Sequence, residues 1–170
     1  MTVPVLALAT LVFRVLGLLG VRRFATWRVS AAHGLAVMLV MTASAHFVPA
    51  SVTVMPTHED LVAIVPPFVP FAAAMVYLTG VLELAGAVGL VLGRTRRPAA
   101  YCLIALFVLL LPANIYAAVA DVPFNGEAAT PLWQRIPEQL LFIAVACWAA
   151  SSRPAKSAEA ASCQHTLVKV

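Results

Sequence analysis

The stretch from Gly80 to Gly93, GVLELAGAVGLVLG, decides the fold. It reads as the middle of a membrane-spanning helix, yet it carries Glu83. An acidic side chain at mid-helix costs roughly 2.5 to 3.5 kcal/mol of insertion free energy on translocon scales, so its presence needs a reason. On a helix the neighbours of Glu83 are Thr79, Gly80, Gly86 and Ala87, all small. Such a face packs closely against other helices, whereas a lipid-facing one would carry Leu or Phe. Gly89 and Gly93 extend the face as a GxxxG pair. Glu83 is therefore expected to point into a bundle.

The rest of the chain supplies that bundle. Its 170 residues are 62% hydrophobic and 11% charged, with a mean hydropathy of +0.96. This is the composition of an all-α, polytopic membrane protein. The net charge is +4, but basic patches with interleaved aromatics are absent, which excludes a nucleic-acid partner. Cys102, Cys147 and Cys163 include no CxxC pair, so neither a disulfide framework nor dithiol chemistry is expected. The first apolar run lacks the charged n-region of a signal peptide and is expected to be retained.

Five spans are expected, at about residues 3–21, 31–48, 71–92, 99–120 and 134–150. Together they form one bundle domain over 1–150, a four-helix core with an added N-terminal helix. Residues 49–70 are too apolar for an aqueous loop and too broken by proline for a straight helix. They read as an interfacial or partly re-entrant cap. Arg22, Arg23 and Arg28, then Arg94, Arg96 and Arg97, then Arg153, Lys156 and Lys169 all fall on one side. The other side holds Glu59, Asp60, Asp121 and Glu127. By the positive-inside rule the N-terminus is out and the C-terminus in, in a bacterial cytoplasmic membrane. Residues 151–170, rich in Ala, Ser and charge, read as a disordered cytoplasmic tail.

Depth follows from the rise of about 1.5 Å per helical residue. Glu83 falls near the midplane, His46 and Asn114 in the outer half, and Arg135, Glu138 and Gln139 at the outer start of the last helix. A plain role stands beside a chemical one for each. Glu83 either pairs with Arg14, also placed near the midplane, as a structural ion pair, or serves as a proton donor or relay. His46 is an ordinary hydrogen-bonding residue, or an acid–base partner or ligand anchor. A single histidine without a second ligand at suitable spacing makes a protein-only metal site unexpected. His33 reads as interfacial. Asn114 either re-satisfies the backbone at Pro112 or orients a ligand. Glu138, just after Pro137, reads as a first-turn cap, with Arg135 pairing to it or to Asp121. Asp60 either caps the short LVAIV segment or contacts a ligand.

Several stretches carry a family resemblance. They are SAHF (44–47), DLVAIVPPFVP (60–70), VYLTGVLELAGAVGLVLGRTRR (76–97), PANIYAA (112–118) and PLWQRIPEQLLFIA (131–144). In their order and spacing the chain resembles the DoxX-like family of small bacterial membrane proteins. The resemblance implies a compact four-helix core, with His46, Asp60, Glu83, Asn114, Arg135 and Gln139 at the family's motif positions. Tyr77, inside VYLTG, joins the ligand-binding set. Glu138 departs from the family, whose members usually have an apolar residue there. The resemblance also implies a link to membrane redox systems, through a quinol oxidase subunit and thiol-stress partners. No haem-ligand histidine pair and no nucleotide motif occurs here, so no cofactor is expected.

Three functions fit these residues. The first is a bundle that binds a small lipophilic molecule, quinone-, isoprenoid- or sterol-like, in an outer-half cavity. His46 and Glu83 would then handle protons, and Asn114, Arg135 and Gln139 would orient polar groups. Such a bundle fits a binder as well as an enzyme. The second is a non-catalytic accessory subunit of a membrane redox complex. The third, a proton-coupled transporter, is weakest, because five short helices show no inverted repeat.

Overall fold

The computed structural model describes residues 2–52, 54–124 and 126–151, and every regular element among them is helical. The tail from residue 152, with Cys163, lies outside the described residues. In chain order the helices are α1 (Thr2–Leu18), α2 (Trp27–Ala45), the short α3 (His58–Ala63), α4 (Ala72–Val91), α5 (Arg96–Val119) and α6 (Leu132–Ala150), with a single 3₁₀ turn at Arg22–Phe24. By length and composition α2, α4 and α5 can cross a membrane.

Each apolar run folds as a helix, but hydropathy misplaces several ends because caps, not apolarity, set where a helix begins. Thr26 accepts a hydrogen bond from the Val29 amide, so α2 starts at Trp27, ahead of the apolar run. α6 starts at Leu132, which puts Pro137 inside the helix and Glu138 beyond the first turn. The first-turn cap expected of Glu138 is therefore corrected. α4 ends at Val91, and a Cβ added at Gly93 would meet open space. Gly93 thus takes no part in helix packing, and the expected GxxxG pair reduces to Gly89, where an added Cβ would lie 2.5 Å from Ala99 Cβ.

Helix α2 packs on α4, α4 on α5, α5 on α6, and α6 back on α2, closing a four-helix ring; α1 lies outside it against α2. Small residues make the close contacts. Gly34 of α2 faces Thr10 and Leu6 of α1, and Gly86 of α4 faces Leu103 of α5. The core joins Ala32, Leu35, Leu39, Leu90, Leu103 and Ala146. Large apolar side chains point outward instead, among them Leu8, Val88, Leu109, Leu140 and Trp148. A surface so rich in exposed apolar groups suits a hydrocarbon surround.

The two ends of the ring differ in charge. One end holds the C-termini of α4 and α6, and arginines close it. Arg96 Nε donates to the Leu90 carbonyl at 2.8 Å, Arg23 Nη2 to Val91 at 2.8 Å, and Arg28 Nη1 to Ser151 at 3.4 Å. These carbonyls lack intrahelical donors, and the cation also faces the negative pole of the helix dipole. His33, expected at an interface, is buried near this end, with Phe13 and Phe24 rings 5.3 and 4.9 Å away.

Candidate functional site

At the other end the same helices leave a partly open cavity of about 610 Å³, within the usual range for ligand pockets, roughly 300 to 1,000 Å³. Met38, Leu39, Phe107, Leu110 and Phe142 give it apolar walls. Val54, Met55, Pro56, Leu61 and Ile64 of the Pro-rich segment line it as well. His46, Glu83, Asn114, Arg135 and Gln139, expected from the sequence, meet on this cavity, together with Glu138.

Glu83 is 6% exposed and His46 7%. Helix α2 ends at Ala45, so His46 caps it and turns its ring toward α4. The approach needs Gly80, where an added Cβ would lie 2.6 Å from His46 Cβ. His46 Nδ1 lies 2.6 Å from the Val76 carbonyl. A carbonyl only accepts, so Nδ1 carries the proton, and in the neutral ring Nε2 keeps its lone pair. Nε2 stands 3.8 Å from Glu83 Oε1. That is too long for a direct hydrogen bond, but one ligand oxygen can sit about 2.8 Å from both atoms.

Thr42, missed in the sequence, holds the other carboxyl oxygen. Its hydroxyl lies 2.9 Å from Glu83 Oε2 and 3.1 Å from the Leu39 carbonyl. The hydroxyl has one proton and two acceptors in reach. It can donate to the Glu83 carboxylate, or donate to Leu39 and accept from the carboxylic acid. The signal was available, since Thr42 precedes His46 by four residues and so shares its helix face.

The expected Arg14–Glu83 ion pair does not form. Arg14 Nη1 donates to the Ala25 carbonyl at 3.0 Å, and its guanidinium lies 5.5 Å from the Trp27 ring centroid. Trp27 opens α2 and Thr42 lies near its other end, so the two sites are about 22 Å apart along the helix. Arg14 is near the end of α1 and reaches out to the turn that follows.

Arg135 pairs with neither Glu138 nor Asp121. Its Nη1 donates to Asn114 Oδ1 at 3.0 Å, and its guanidinium lies 5.8 Å from the Phe124 ring centroid. Arg135 Nε is buried with no hydrogen-bond partner among the described residues. Asn114 thus serves a side chain rather than the backbone at Pro112. Gln139 Nε2 donates to the Phe107 carbonyl at 2.9 Å, near the turn that Pro112 disturbs. Glu138 accepts from Gln134 at 3.3 Å.

Asp60 and Tyr77 stand apart. The Asp60 carboxylate accepts from the Thr57 amide and hydroxyl, both at 2.8 Å, closing a capping box at the start of α3. Thr57 is the N-cap, so Asp60 does not cap LVAIV as expected but serves the cap from inside the helix, at its third position. Tyr77 is 47% exposed and stacks on His58 with ring centroids 4.0 Å apart. Neither lines the cavity. Among the described residues no three His, Cys, Asp or Glu side chains gather as a metal site. Cys102 and Cys147 are free and exposed.

One family model, described as a domain of unknown function (DUF8561), matches residues 35–150, more than half of the chain. The match takes in α4, α5, α6 and the second half of α2, with most of the cavity lining, and leaves α1 outside. No curated protein and no solved structure matches the chain.

Proposed function

The chain belongs to the DUF8561 family, and we propose that it is a multi-pass protein of the bacterial cytoplasmic membrane that binds a small lipophilic molecule in an outer-half cavity. In this reading α1, α2, α4, α5 and α6 all span the bilayer. The arginine-closed end lies inside and the N-terminus outside, as the distribution of charge favours. The stretches that resemble the DoxX-like family lie within residues 35–150. The bound molecule is quinone-, isoprenoid- or sterol-like.

One observation carries the proposal. On the wall of a largely apolar cavity of ligand size, His46 Nε2 and Glu83 Oε1 stand 3.8 Å apart, within ion-pair distance of each other and in no hydrogen bond among the described residues. Glu83 as acid and His46 as base can exchange a proton with an oxygen bound between them. Isomerisation or cyclisation needs no more than such a pair in a dry site.

The test is native mass spectrometry of the gently solubilised wild type and Glu83→Gln. The expected result is a retained small lipophile, lost in the variant while its fold survives. If Glu83→Gln unfolds the bundle, the carboxyl is structural and the site fails. The second reading, an accessory subunit of a membrane redox complex, draws on Asn114, Arg135 and Gln139 binding one another's helices. A ligand-free chain that carries a protein partner would favour it.

A further inference from the structure

The proton inventory of the His46–Glu83 pair narrows what the cavity takes. Neither His46 Nε2 nor Glu83 Oε1 makes a hydrogen bond among the described residues, and neither is sealed off as His33 Nε2 and Arg135 Nε are. Both atoms therefore stay open to contact, and both residues line the cavity. What they need follows from the protons already committed. His46 Nδ1 gives its proton to the Val76 carbonyl, so in the neutral ring Nε2 only accepts. Glu83 Oε2 is held by Thr42, whose hydroxyl can donate to it or accept from it. Oε1 is then a carboxylate oxygen, the carbonyl oxygen of the acid, or the acid's hydroxyl.

A net charge on a buried pair is costly, so two states matter: imidazole with carboxylic acid, and imidazolium with carboxylate. In the first, Nε2 asks for a donor; in the second, Oε1 does. A ligand hydroxyl has a proton to give in either state and can accept at the same time. At 3.8 Å the two atoms are spaced for one such oxygen between them. A carbonyl oxygen only accepts, and in each state it leaves one of the two atoms desolvated without a donor. An ammonium also donates, but it would carry a full charge toward the middle of the bilayer. We infer that the His46–Glu83 pair receives the hydroxyl of an uncharged lipophilic alcohol rather than a ketone or quinone carbonyl. This narrows the ligand class within the reading of the cavity as a ligand site and rests on it.

The test uses four matched probes, 2-pentadecanol, 2-pentadecanone, 2-aminopentadecane and pentadecane, with the full chain in phosphatidylcholine nanodiscs and retention read by native mass spectrometry. The wild type should retain the alcohol roughly tenfold over the ketone, as one buried hydrogen bond made rather than left unmade implies, and also over the amine. His46→Phe removes the accepting nitrogen and leaves Glu83 as an acid that serves a ketone equally well, so most of the preference should vanish. Best retention of the ketone or of the amine overturns the inference, as does an alcohol preference that His46→Phe leaves whole. Equal retention of all four overturns it while leaving the cavity a ligand site, and retention of none overturns both. The wild-type series decides even where His46→Phe fails to fold.

Discussion

The four-helix ring is built differently at its two ends. At one, Leu35, Leu90 and Leu103 fill the space between helices, and Arg96, Arg23 and Arg28 each donate to a helix-terminal carbonyl. At the other, the same helices enclose about 610 Å³, and among the described residues His46 Nε2 and Glu83 Oε1 beside it make no hydrogen bond. His33 Nε2 near the arginine end is likewise buried without a hydrogen-bond partner among the described residues, so what sets the other end apart is the cavity beside its unpaired groups. The contrast separates the two kinds of variant. Changes at the arginine end should lower stability without altering ligand retention, and changes at the cavity should do the reverse.

The largest effect is expected from Arg96→Met. The Arg96 guanidinium is buried, and its loss leaves the Leu90 carbonyl unpaired at the end of α4. A hydrogen bond from a charged group to a buried acceptor contributes up to about 3 kcal/mol. Thermal unfolding in detergent should show a loss of that order, with retention of any small lipophile unchanged in the folded fraction. An unmoved melting temperature would mean that the arginines do not hold this end.

Gly80→Ala tests the boundary between packing and site. The new Cβ would meet His46 Cβ at 2.6 Å, so the ring must leave the Val76 carbonyl or the helices must part. Overpacking of this kind costs about 1–3 kcal/mol. The distinctive outcome is lost ligand retention in a chain that still folds. A variant that keeps its ligand would show that His46 need not stand where it does.

These contacts also show what a sequence can reveal about such a protein. The small face around Glu83 implied burial, and Glu83 is buried, because side-chain size on a helix face directly limits how near the next helix comes. The meeting of His46, Glu83, Asn114, Arg135 and Gln139 followed from counting residues along helices. Arg14 was misread by the same counting, since depth along a run says nothing of where a long side chain reaches. Asp60 went to its own helix cap and Tyr77 to an outward stack. Sequence spacing alone could not choose between such local partners and a ligand.

The smallest expected effect, Thr42→Val, is the sharpest on mechanism. Valine keeps the shape of threonine but removes the hydroxyl between Glu83 Oε2 and the Leu39 carbonyl. One neutral hydrogen bond contributes about 1 kcal/mol, so the bundle should remain folded with a slightly lower melting temperature. The hydroxyl can follow the Glu83 proton, donating to the carboxylate or accepting from the acid, so its loss should weaken whichever form the ligand does not itself support. Thr42→Ser retains the hydroxyl and should restore wild-type ligand retention, whereas Thr42→Val should reduce it several-fold. Equal retention in Val and Ser variants would mean that Thr42 only packs, and that Glu83 faces its ligand without help from α2.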